Sequence, residues 1–152
     1  MKRKNLLIIF FVWLLCTANQ CNKENCHNKI PFINNSDKTL YVISNIYYPS
    51  DTLLPLKEFE EHIHKVLPNS VNPNCLTRRA KTCYEGYSKI MISIVDEQIM
   101  AITPLGVIIS DYLVLRRYDL TPADLELLNW EIPYPPDERM KNMKMWPPYG
   151  SE

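Results

Sequence analysis

Residues 89–95 read KIMISIV, a near-continuous apolar run of strand length with no polar face to offer water. Such a run describes a strand buried within a sheet, so the chain must supply layers that cover it. Asp96 and Glu97 suit a turn, and residues 98–103 read as the partner strand. Upstream, KIPFI (residues 29–33) and TLYVISNIYY (39–48) flank NNSDK (34–38), a cluster of turn formers. Apolar, β-branched and aromatic stretches around such a cluster predict a β-hairpin with an extended loop. Pro49, Ser50 and Asp51 end it.

Two segments carry helical signals. In residues 56–67 the apolar positions Leu56, Phe59, Ile63 and Val66 or Leu67 fall at helical spacing, with Glu58, Glu60 and Glu61 early and Lys65 late. Thr121, Pro122 and Asp124 form a helix start, with Thr121 as cap and Asp124 placed to bond back to it. Leu125 and Leu128 give that helix its inward stripe, and Asn129 ends it. Residues 68–83, rich in Pro and Asn, read as a loop. Residues 107–117 are ambiguous, a helical turn followed by a strand at 112–116. WEIPY (130–134) alternates as an edge strand that Pro133 keeps from full pairing. The expected core is Ile30, Phe32, Leu40, Val42, Phe59, Ile63, Ile90, Ile92, Ile94, Leu113, Leu115, Leu125, Leu128 and Trp130.

The first residues combine a basic start (Lys2, Arg3, Lys4), an apolar run of about ten residues and a polar stretch, the layout of a secretory signal. The run is shorter than the roughly 20 residues that span a bilayer. Two cut sites compete in LLCTANQC (14–21). Cleavage after Ala18 satisfies the small-residue rule and leaves Cys21, Cys26, Cys75 and Cys83, an even number suited to two disulfides in an oxidising compartment. Cleavage after Gln20 makes Cys21 the first mature residue and a lipid anchor. In both readings Cys75 and Cys83 are the expected bridge, enclosing the basic loop LTRRAKT. The expected organisation is a signal peptide over 1–20, a tether over 21–28, a single β-rich domain over 29–136 and a Pro-, Met- and Lys-rich tail over 137–152.

Charge narrows the partners. The chain has 17 basic and 17 acidic residues, and without Lys2, Arg3 and Lys4 the balance is 14 against 17, a net charge of −3. No nucleic-acid partner is expected of a mildly acidic domain. No catalytic residue, metal site or cofactor is expected either. The G-x-S-x-G and HExxH patterns are absent, and the scattered Gly86, Gly106 and Gly150 build no phosphate-cradling loop. On the expected helix His62 and His64 point apart. A small metal-dependent enzyme using His27, His62 or His64 is the alternative, with a soluble, secreted, disulfide-stapled domain as another. Arg78, Arg79 and Lys81 read as a solvated loop. Tyr47, Tyr48, Tyr84, Tyr87, Tyr134, Trp146 and Tyr149 lie near turns or in the tail, where aromatics stack on sugars or anchor a protein partner; Tyr47, Tyr48, Tyr84 and Tyr87 are the candidate binding residues.

CHNKIPFINNSDKTLYV (26–42), IYYPSDTL (46–53) and RRYDLTPADLELLNWEIPYPP (116–136) resemble blocks of a family of small, uncharacterised exported lipoproteins of Bacteroidota-type gut bacteria. The resemblance implies export, a lipid on a cysteine near the start, and a compact β-rich domain with a short helix before its last strand. Together these readings predict an α+β, mostly β fold. Six or seven short strands form a sheet or sandwich, covered by helices at 56–67 and 122–128. They also predict a non-enzymatic envelope protein, in the outer membrane or periplasm, held to the membrane by its lipid and binding a protein or a glycan.

Overall fold

A computed structural model of the chain describes residues 26–45, 62–77, 83–86 and 88–151. The fold is α+β and mostly β. The strands are β1 (Lys29–Asn34), β2 (Leu40–Asn45), β3 (Ile63–Val66), β4 (Ser70–Thr77), β5 (Ile90–Asp96), β6 (Arg116–Leu120), β7 (Ile132–Tyr134) and β8 (Lys144–Trp146). The helices are α1 (Glu97–Ile102), α2 (Leu105–Ser110) and α3 (Pro122–Leu127). The strands make a three-stranded sheet, β4-β1-β7, and a five-stranded antiparallel sheet, β3-β2-β5-β6-β8. β1 runs antiparallel to β4 and parallel to β7.

β5 is the central strand of the larger sheet, as its apolar run demands. Ile90, Ile92 and Ile94 point to one side, where they meet Ile30 and Phe32 of β1, Leu40 and Val42 of β2, Leu76, Tyr118, Leu120 and Ile132 in the main core. Leu125 and Leu128 of α3 close that core. Val95 points to the opposite face and packs with Ile43 and Ile108 beneath α1 and α2. The strand is therefore covered on both faces.

The predicted hairpin at 29–48 is a crossing between sheets. β1 and β2 share no hydrogen bonds and belong to different sheets. The turn cluster does turn the chain, but it carries it from one layer to the other. Asn34, fully buried, controls this corner. Its Nδ2 donates to the carbonyls of Lys38 (2.7 Å) and Leu67 (2.9 Å). Its Oδ1 accepts from the Ser36 amide (3.0 Å) and hydroxyl (2.7 Å). Leu67 lies in the second crossing, from β3 to β4, and the Asn69 amide bonds back to Ser36 O at 3.0 Å. One side-chain amide thus joins both crossings.

The helix expected over 56–67 gives way to β3 from Ile63 onward, and residues 56–61 lie outside the described residues. Here β2 offers an open edge, and pairing with it outweighs the helical spacing. Residues 70–77, read as loop, form β4 instead. Between the pairs Ile30↔Leu76 and Phe32↔Asn72, β4 advances four residues while β1 advances two, so Pro73 sits in an irregularity of an edge strand. The expected partner strand at 98–103 is helix α1, capped where Asp96 accepts from the Gln98 amide at 2.8 Å. The strand sought at 112–116 begins at Arg116. The capping box at α3 is as expected: the Thr121 hydroxyl accepts from the Asp124 amide at 3.2 Å, and Asp124 accepts from the Thr121 amide at 2.8 Å. β7 is an edge strand containing Pro133.

Of the expected tail over 137–152, residues 137–151 are described, and they complete the larger sheet. Met140 and Met143 are buried in the main core, and β8 pairs with β6. Of the expected core, Leu113 is exposed, Leu115, Ile63 and Trp130 are partly buried, and Phe59 lies outside the described residues.

Candidate functional site

Strand alternation on β6 separates two sets of side chains. Arg116, Tyr118 and Leu120 face inward opposite Ile94, Ile92 and Ile90. Arg117 and Asp119 face outward opposite Ser93 and Met91. On β8, Trp146 lies across from Arg117 and Lys144 across from Asp119, while Met145 faces inward with Tyr118. The outer face of the sheet thus carries a square of Arg117, Asp119, Lys144 and Trp146. α1 and α2 cover the other half of this face, over Ile43 and Val95. The turn after α2 brings Tyr112 to the rim. Tyr112, Arg117, Asp119, Lys144, Met145 and Trp146 line an open cleft of about 570 Å³.

A fixed charge network forms the floor. The Asp119 side chain is only 3% exposed. Its Oδ1 accepts from Arg117 Nε at 2.7 Å and its Oδ2 from Arg117 Nη2 at 3.1 Å, a bidentate fork. The Lys144 ammonium sits 3.3 Å from the same Oδ2, on a side chain 66% exposed. Burial pulls the Arg117 guanidinium towards its neutral form. The bonds and charge of Asp119 outweigh that pull and hold its pKa above the ordinary value. Two cations against one carboxylate leave the cleft with one net positive charge.

Aromatic faces form the walls. Trp146 and Tyr112 are both more than half exposed, and the Arg117 guanidinium lies 6.0 Å from the Tyr112 ring centre. Tyr112 has φ of 52°, in the left-handed region. It follows α2 at the position where the next amide, Leu113 N–H, bonds back to Ile108 O, a place that ordinarily takes glycine. A bulky residue held there carries backbone strain.

Arg116, on the inner face and 7% exposed, positions the Trp146 wall. Its Nη1 donates to Pro147 O at 2.8 Å and Pro148 O at 3.3 Å, and its Nη2 to Ser151 O at 3.3 Å. The guanidinium thereby clasps the segment that follows β8.

No protein-family model, curated protein or solved structure matches this chain. The site is therefore read from its own chemistry.

The structure redistributes the residues singled out in the sequence. Tyr84 is buried in the main core, 3% exposed, and is no surface aromatic. Tyr47, Tyr48, Tyr87, Cys21 and the loop Arg78, Arg79 and Lys81 lie outside the described residues. The bridge expected between Cys75 and Cys83 is replaced by one between Cys26 and Cys83, whose Cα atoms are 5.1 Å apart. Cys75 points from β4 into the core as a free, fully buried thiol, its pKa pushed up by burial to about 12. A main-chain bond, Tyr84 N–H to His27 O at 2.9 Å, fastens the same two segments as the disulfide. His27 stacks on Trp130 with ring centres 3.9 Å apart. His64 lies on β3 and His62 in the turn just before it, not on the expected helix, and the charge of His62 reaches His64. Among the described residues, no group of three or more His, Cys, Asp or Glu side chains is placed to hold a metal ion. No helix among them is long and apolar enough to cross a membrane.

Of the cleft residues, the sequence points to Trp146 as an aromatic of the tail, and Tyr112, Arg117, Asp119 and Lys144 are additions of the structure. The signal was the alternation of RRYDL and KMW, which puts charges and an indole on one face once both are recognised as strands.

Proposed function

We propose that this chain is an exported, lipid-anchored envelope protein that binds a glycan, without catalysis, in the cleft on the outer face of β6 and β8. One observation carries the binding reading: two exposed aromatic faces flank a floor of pre-ordered charged groups. Sugars present both an apolar C–H face, which packs on aromatic rings, and a fringe of hydroxyls, which need polar partners. A protein hot spot also uses Trp, Tyr and Arg, but in a fully desolvated pocket. Here it would leave Lys144 and the Arg117–Asp119 pair stripped of water, at a cost.

The cysteine pattern supports the anchor. With Cys26 bonded to Cys83 and Cys75 enclosed in the core, the described residues offer no accessible thiol for Cys21 to pair with. The even count that favoured cleavage after Ala18 therefore loses its second disulfide, and a lipid gives Cys21 a role. The resemblance to exported lipoproteins points the same way.

Titration of 15N-labelled mature domain with envelope polysaccharides tests the binding reading. The expected shifts map to residues 112, 117, 119 and 144–146. Shifts confined elsewhere, or none with any glycan while an envelope protein moves these same resonances, would overturn it. Mass spectrometry of the mature N-terminus tests the anchor: an acylated Cys21 is expected, and a free Asn19 refutes it.

A further inference from the structure

The charge arrangement in the cleft points to a particular class of sugar, and we infer that the site selects carboxylated glycans, those built from uronic or other acidic sugars. This inference rests on the glycan-binding reading. Asp119 has both oxygens occupied, by Arg117 Nε and Nη2 and by Lys144 Nζ, and is almost fully enclosed. It is therefore a positioning residue that orders the two cations and does not itself face the ligand. Lys144 differs. Its ammonium makes one contact of 3.3 Å with Asp119 while its side chain stays largely exposed, so it presents donors to the cleft.

A neutral sugar would satisfy the aromatic walls and leave the excess cation to water. An acidic sugar stacked between Tyr112 and Trp146 would set its carboxylate against Lys144. That contact is charge-assisted, and it leaves the cleft neutral. Register sets the two side chains side by side: Lys144 and Trp146 are alternate residues on one face of β8, so their Cα atoms stand about 7 Å apart along the strand, the scale of one sugar ring. The Arg117–Asp119 fork holds the floor rigid beneath them, which limits the ordering cost of binding.

The test pairs acidic oligosaccharides from hyaluronan, alginate and polygalacturonate with their carboxyl-reduced forms, measured by calorimetry against mature protein, Lys144→Gln and Trp146→Ala. Both side chains are exposed, and circular dichroism checks that each variant is folded. For at least one pair the acidic form is expected to bind about tenfold tighter, the scale of one charge-assisted contact. Lys144→Gln should erase that difference, so that acidic and reduced forms bind the variant with equal affinity. Trp146→Ala should weaken both forms. Raising salt should shrink the preference. Equal binding of acidic and reduced forms, with both lost in Trp146→Ala, overturns the acidic preference and leaves the glycan reading standing. A preference that survives Lys144→Gln also overturns it. No binding of either form in any pair defeats both readings.

Discussion

Asn34 offers the sharpest test of how this fold is held. Its amide has two donors and two acceptor sites, and all four are used, joining residues 36, 38 and 67. Each bond contributes about 1 kcal/mol net. Ser36 and Lys38 lie near solvent, so their groups can turn to water when the amide is removed. Asn34→Ala should therefore cost about 3–4 kcal/mol, near the simple sum of four bonds, without a further large penalty for orphaned partners. Asn34→Asp is the sharper perturbation. It keeps the shape and the acceptor bonds but sets a carboxylate against the carbonyls of Lys38 and Leu67, which Nδ2 approaches at 2.7 and 2.9 Å. Burial and those carbonyls would raise the new carboxyl's folded-state pKa above its unfolded value near 3.9. The folded state then binds the extra proton more readily, so the defect is full above the folded pKa and shrinks as pH falls through it. Urea unfolding at several pH values, with unchanged m, measures both effects. A loss below about 1 kcal/mol for Asn34→Ala would refute the argument that this amide joins the two crossings. So would an Asn34→Asp defect that does not vary with pH.

Other consequences follow from the cysteines, the strand histidine and the strained tyrosine. Cys26→Ser should destabilise the oxidised protein by up to about 4 kcal/mol, since the bridge spans 57 residues; non-reducing peptide mapping should recover Cys26 linked to Cys83. Cys75 should resist alkylation at neutral pH until denaturant is added, because burial holds the thiol protonated at a pKa of about 12; rapid labelling of the folded protein would contradict its placement. His64 has a pKa below the ordinary 6.5, through burial first and the charge of His62 second. Its stabilising share is full above 6.5 and lost as pH falls towards the folded value, so His64→Gln should flatten that part of the stability profile. Tyr112→Gly should stabilise the fold by about 1 kcal/mol in thermal unfolding while weakening glycan binding; a destabilised variant would show that Tyr112 is not strained.

The elements legible in the sequence were those whose signal is local and complete. KIMISIV is apolar on every side and became the central strand. TPAD supplies all the parts of a capping box within four residues and started a helix as read. The misreadings share a cause: the deciding contact lies far along the chain. Residues 63–66 carry helical spacing, yet the open edge of β2 recruits them as a strand. Residues 70–77 look like loop because Pro73 and the asparagines mark an irregular edge strand, whose partner is β1. Turn formers at 34–38 announce a change of direction but not whether the next strand pairs with the last or crosses to another sheet. That outcome depends on Asn34 finding Leu67 O, 33 residues away. The disulfide follows the same rule. Proximity in sequence favoured Cys75 with Cys83, but the irregular stretch of β4 buries Cys75 in the core beside Leu76, and Cys83 bonds Cys26.

The cleft was hidden for a related reason, and its composition argues that it is more than exposed sheet. A solvated outer face needs no buried carboxylate, yet Asp119 is 3% exposed and holds two cations in place. The turn after α2 would relax with glycine, yet it carries a tyrosine in the left-handed region at the rim of the same cleft. The residue that fixes the far wall, Arg116, is a charge placed on the core side of β6, spent on carbonyls of the segment after β8. Each of these arrangements opposes a local preference, for burial of apolar groups or for relaxed backbone. All three act on one feature, the geometry of Tyr112, Lys144 and Trp146. Departures from local consistency that converge on a single cleft are what the proposed binding role calls for.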